Sequence, residues 1–238
     1  MFAYGVSSDL IDEYVQIGKT TALQFLKKFV TAVFDVFFEE YLRKPNNEDI
    51  ARLLAHGERR GFSGMLGSID CKHWKWINCL AAWKGQYYGH IREPTIILEA
   101  VASYDLWIWH AFFGLPRSNN DINVFERSHI FSDLAEGCAL VVHYSINGQN
   151  YTMGYYLADG IYPKWATFVK TIPTPQGQKR KLFAAAQEAY RKDVEHAFGV
   201  LQAHFEIVRE PARFFHLDTL QKIMNACIIL HNMIVEDE

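Results

Sequence analysis

Disulfide chemistry has little to work with in this chain of 238 residues. Its four cysteines, Cys71, Cys79, Cys138 and Cys227, form no CxxC pair and follow no regular spacing. A disulfide framework is not supported on that ground, a zinc site has little support, and the thiols read as the reduced cysteines of an intracellular protein. Paired histidines are missing too: the ten histidines include no HxH or HxxxH, so a phosphoesterase built on a histidine-rich metal cage lacks its ligand spacing. No apolar run approaches the roughly 20 residues of a membrane span. The opening MFAYGVSSDLIDEY has neither the basic start nor the apolar core of a signal peptide. These absences together suggest a soluble protein with no membrane partner. Positive charge is not in excess either, the formal net charge being -3, so nucleic-acid contact would need a local basic patch.

Apolar material, by contrast, is plentiful. The chain is 50% hydrophobic and 15% aromatic, enough for one sizeable domain with a small attached unit. The pattern divides near residue 60. Residues 8–41 read as a short helix and a longer one across Gly18-Lys-Thr, with Ser8 as the first N-cap and Leu23, Leu26, Phe29, Val30 and Val33 on one apolar face. A further short helix falls at about 47–56. This unit, residues 1–60, has the length of a helix-turn-helix, and both DNA contact and plain packing are open to it.

Residues 61–238 change character. Met65–Ile69 leads into Asp70; Pro94–Ala102 and Leu106–Phe113 are β-branched and aromatic runs joined by the short turn Ser103-Tyr-Asp105; Gly154–Ala158 is another strand. Tyr190–Phe205 and Leu217–Val235 are helical. Strands followed by helices predict a mixed α/β layered domain. The interval KTIPTPQGQKRK, 170–181, with two prolines and four basic residues, reads as a loop. Its Lys179, Arg180 and Lys181 suit either solvent or phosphate.

Three acids share an unusual setting. Asp70 and Asp159 each follow an apolar strand-like stretch, and Glu195 stands beside an apolar helical stripe of Val194, Ala197, Phe198, Leu201 and Phe205. Any one of them is an ordinary turn or cap; Asp159-Gly160 by itself is a turn signal. Two at strand ends and one on a covering helix are a donor set for a hard divalent cation, which takes carboxylates, waters and phosphate oxygens. Two such ions about 4 Å apart activate a water or 3′-hydroxyl and stabilise the leaving oxygen. Asp121, before a helix, is a rival acid whose simpler task is capping.

At these same residues the chain resembles a known family. GMLGSIDCKHW (64–74), GLPRSNNDINVFERS (114–128), YYLADGIYP (155–163) and RKDVEHAFGVLQAHF (191–205) are similar to motifs of the PIF/Harbinger transposases, in particular the Pong-like plant branch and Harbinger-derived nucleases of the DDE superfamily. The resemblance implies an RNase H-like fold and a catalytic, metal-binding triad of Asp70, Asp159 and Glu195. The last two are 195 − 159 = 36 positions apart. It implies Mg²⁺ or Mn²⁺ as cofactor, two ions, and cleavage followed by strand transfer at transposon ends. It also implies a nuclear location, DNA and a Myb-like protein as partners, and a homodimer during reaction. Lys72 and His73 would contact DNA phosphate or tune the site, or equally form a solvent-facing extension of the strand, and Trp74, Trp76 and Trp83 would stack on bases or pack inside. A catalytically silent, domesticated protein serving chromatin interactions is the alternative.

Overall fold

The computed structural model describes residues 1–88, 93–116 and 141–238. The chain opens with α1 (Ser8–Val15), α2 (Lys19–Tyr41) and α3 (Asn47–Arg59). Ser7, not Ser8, caps α1, its hydroxyl accepting from the Leu10 amide at 3.3 Å. α3 starts on a capping box: the Asn46 side chain accepts from the Glu48 and Asp49 amides at 2.9 Å, and Asp49 accepts from the Asn46 amide at 3.0 Å.

Next come β1 (Met65–Lys75), α4 (Ala81–Tyr87), β2 (Thr95–Ala102) and β3 (Ile108–Pro116). The hairpin of β4 (Val141–Ile146) and β5 (Gln149–Met153) precedes β6 (Tyr155–Ala158) and β7 (Phe168–Lys170). The chain ends with α5 (Gln178–Tyr190), α6 (Asp193–His204), α7 (Glu206–Arg209) and α8 (Leu217–Asp237). The main sheet has five strands in the order β3-β2-β1-β6-β7. β1, β2 and β3 run antiparallel, while β6 and β7 lie parallel to β1 and to each other. That mixed sheet, with helices on both faces, is the RNase H-like arrangement.

Three departures from the sequence reading have physical causes. β1 runs on to Lys75, so Asp70 sits mid-strand rather than at a strand end; Cys71–Lys75 look polar, yet pair residue by residue with Thr95–Glu99 of β2. The helix read at 190–205 starts only at Asp193, because Tyr190 closes α5 and Arg191-Lys192 turn the chain between the two helices, and the basic residues 179–181 lie in the first turn of α5, not in the loop. Gly67 is where β1 shifts register between Met65 and Gly67 against β6; a Cβ there would stand 2.5 Å from the Ala102 carbonyl oxygen, so only glycine lets the strands approach so closely.

One face of the sheet packs through Trp74, Ile96, Leu98 and Ala100 against Val194, Ala197, Phe198 and Leu201 of α6 and Ile223–Ile229 of α8. Leu26, Val30 and Val33 of α2 belong to that same apolar cluster. Asn232 stitches three elements together: its Oδ1 accepts from the Ile108 amide at 2.9 Å, and its Nδ2 donates to the carbonyls of Tyr41 (2.6 Å) and Ile108 (2.8 Å). The opposite face packs Ile69, Val101, Trp107, Tyr156 and Ala158 against Leu53 of α3. The tail of β1 bridges to Ala212, whose amide donates to the Lys75 carbonyl at 2.7 Å. The Trp74 and Trp76 indoles donate to the Glu210 and Phe214 carbonyls, both at 2.7 Å.

Candidate functional site

The parallel pairing of β1 and β6 aligns Ser68 with Leu157. Two residues further along stand Asp70 (68 + 2), within β1, and Asp159 (157 + 2), one residue past the end of β6, close enough for the Asp159 charge to act on Asp70; Asp70 shares the Ser68 face of the sheet by the two-residue period of strands. That face is the one beneath α6, because the Ser68 hydroxyl accepts from the Val194 amide at 3.0 Å. Glu195 is the next residue of α6.

Asp159 stands one residue beyond β6. Its Oδ1 accepts from the Ile161 amide at 2.9 Å, so the Asp-Gly turn and the acid at the rim are one feature. Asp70 Oδ1 accepts from the Cys71 amide at 2.8 Å. Burial pushes the Asp70 carboxyl up from the usual range to about 6; the negative charges of Asp159 and Glu195 push the same way, and the Cys71 amide and Arg191 oppose them. Asp70 therefore feels both other acids. Among the described residues, no three His, Cys, Asp or Glu side chains already stand close enough to form a ready metal cage.

Several supporting residues escaped the sequence reading. Arg191 donates from Nη1 to Glu195 at 2.8 Å and from Nη2 to Glu188 at 2.9 Å, placing a guanidinium inside the acidic group. Its position four residues before Glu195 was the available signal. Arg60 pairs with the buried Asp193 and lies over the Tyr190 ring at 4.5 Å, fixing the start of α6. Gln187 is fully buried and donates to the carbonyls of Ala158 (2.9 Å) and Val169 (3.1 Å), pinning the ends of β6 and β7 just before Asp159. Nothing local in the sequence marks Arg60 or Gln187, since their partners lie far along the chain.

The remaining candidates divide. Lys72 lies on the Asp70 face, two residues on, whereas exposed His73 belongs to the other face by strand alternation. Lys179, Arg180 and Lys181 are all exposed on the opening turn of α5. Trp74 and Trp76 are buried, and Trp83 is exposed with its ring 6.1 Å from that of Trp76. Asp121, with most of the 114–128 motif, lies outside the described residues.

A family model described as plant transposon protein matches residues 39–238. No curated protein and no solved structure matches the chain significantly.

Proposed function

This chain belongs to the plant transposon protein family, and from that premise we propose that it is a divalent-metal-dependent DNA endonuclease and transposase of the Harbinger type. The observation that supports the reading best is that Asp70 of β1, beneath the helix turn that carries Glu195, feels the charges of both Asp159, just past the end of β6, and Glu195. The donor set fits a hard cation: all three are carboxylates, and burial, reinforced by the charges of Asp159 and Glu195, raises Asp70, a cost that a bound Mg²⁺ or Mn²⁺ relieves. When bound, two such ions supply the activated water or 3′-hydroxyl and steady the departing oxygen.

The chain's own residues do the positioning. Asp70 and Asp159 hold the sheet side of the site, and Glu195 closes it from α6. Ser68 and Arg60 fix the turn from which Glu195 projects, and Gln187 fixes the strand tip before Asp159. Lys72 on the same face, and the basic turn Lys179–Lys181, are the proposed contacts to DNA phosphates. A Myb-like DNA-binding partner and a nuclear location complete this reading.

The ion pair between Arg191 and Glu195 favours a second reading, in which the acids are internally neutralised and the protein is a silent, domesticated interaction module. Cleavage of a duplex bearing candidate terminal repeats, with Mg²⁺ or Mn²⁺ and the Myb-like partner present, separates the two. Cutting by the wild type and none by Asp159→Ala is the expected result. Equal cutting by both would remove the triad assignment, and binding without cutting by either would favour the silent module.

A further inference from the structure

The outer side of α2 carries an apolar seam that the acidic site does not use. Phe25, Phe29, Ala32 and Val36 follow one another at steps of four, three and four residues, the spacing of the a and d positions of a coiled coil. Ala22, Leu26, Val30 and Val33 of the same helix turn into the core. Phe25 is 64%, Phe29 46% and Val36 66% exposed, and Ala32 is exposed as well. The Phe2 ring meets Phe29 edge-on at 5.4 Å and leaves the rest of that ring open.

We propose that this seam is a homodimer interface, in which α2 pairs antiparallel with α2 of a second copy about a twofold axis near residues 30 and 31. Size complementarity selects that partner and that direction. Aligned antiparallel, Phe25 stands opposite Val36 (25 + 36 = 61) and Phe29 opposite Ala32 (29 + 32 = 61), so each layer joins an aromatic ring to a smaller side chain. Aligned parallel, phenylalanine would meet phenylalanine and Ala32 would meet Ala32, overfilling two layers and leaving a gap in another.

Charge selects the same arrangement. Lys28 and Asp35 are exposed, one heptad apart, on one flank of the seam. In an antiparallel pair the like flanks of the two helices face each other, so Lys28 meets Asp35 of the second copy, and symmetry makes the contact twice. A parallel pair would set that flank against Leu26 and Val33, which are already buried in their own core. The seam covers 36 − 25 = 11 steps, about 16 Å of helix. So short an interface makes a weak, concentration-dependent dimer. The inference is independent of the acidic site and of cleavage.

Sedimentation velocity from micromolar to millimolar protein tests it. A reversible monomer–dimer equilibrium is expected, weakened about tenfold or more by Val36→Glu. Lys28→Glu or Asp35→Lys alone should weaken it about threefold, and the two together should restore it. A mixture of Phe25→Cys and Val36→Cys chains should form an oxidised cross-link beyond the wild-type background, while Val36→Cys alone should not. Unchanged thermal unfolding at nanomolar dilution confirms that the variants fold. A wild type monomeric throughout, as when the seam serves a helix of another protein, overturns the proposal. So does a dimer indifferent to Val36→Glu, or a Val36→Cys chain that cross-links to itself.

Discussion

Ser68 and Val194, 126 residues apart in sequence, are joined by a single buried hydrogen bond of 3.0 Å from the Val194 amide to the Ser68 hydroxyl. The bond satisfies one of the amides that the first turn of a helix leaves without an internal partner, and it aims the turn carrying Glu195 at the strand carrying Asp70. Ser68→Ala leaves that amide buried and unpaired, at a cost of about 1–2 kcal/mol. Chemical denaturation should record the loss, and calorimetry should show weaker Mn²⁺ binding by the folded variant.

The raised Asp70 carboxyl makes stability depend on pH in a stated direction. Its folded value of about 6 lies above the ordinary 3.8, so the folded chain holds the proton more tightly than the unfolded one. Stability is therefore greatest below about pH 4 with respect to this group, and is lost as pH rises through about 6. Asp70→Asn should be more stable than the wild type by about 2 kcal/mol at pH 7 to 8, and no more stable below pH 4. Thermal melts across that range measure it. Added Mn²⁺ should raise the wild-type melting temperature and leave that of Asp70→Asn nearly unchanged.

Arg191 is ion-paired with Glu195, so under the proposed function it is a rival of the divalent cation for that carboxylate. Arg191→Gln removes that rival and leaves the acids less compensated, so Mn²⁺ should bind the variant severalfold more tightly, about threefold to tenfold. Titration followed by electron paramagnetic resonance reads this directly. Unchanged or weaker affinity would mean that Arg191 assists the site rather than competing with it.

Asn232 ties α2, β3 and α8 through three hydrogen bonds. Asn232→Ala should cost about 2–4 kcal/mol, because it leaves backbone groups of Tyr41 and Ile108 without their partner. Residues 61–238 produced alone should unfold well below the melting temperature of the full chain, since the α2 face of Leu26, Val30 and Val33 would be missing from the shared core. A fragment as stable as the whole would mark residue 60 as a true domain boundary.

Legibility in the sequence followed the range of the interaction. The β-branched run of β2 and the stripe Val194–Leu201 announced themselves through period and apolarity, and the stripe is buried as its spacing predicts. Asp70 was conspicuous as an acid after an apolar run. The strand's continuation through Cys71–Lys75 was not, because it is held by backbone pairing to β2 rather than by apolar character. The β4–β5 hairpin was missed although Val142, Tyr144 and Ile146, then Tyr151 and Met153, alternate with polar residues around Asn147-Gly148; its strands are short, and most of their side chains are exposed rather than part of an apolar run. α5 hid behind the prolines and glycine just before it, whose turn signals masked a helix beginning at Gln178. Ser68, Arg60 and Gln187 serve the candidate site through partners 126, 133 and 29 residues away, a distance over which no local pattern speaks.

β1 is fastened at both ends: to α6 at Ser68, and to the segment before α8 by two indoles and the Lys75–Ala212 contact. Asp70 lies between those fastenings. The strand cannot peel away from its neighbours unless the C-terminal helices leave with it, so the backbone around Asp70 has no low-energy opening of its own. Its amide protons should exchange only when the whole molecule unfolds. Any local opening beside Asp70 must then come from the rim, at the turn after Asp159.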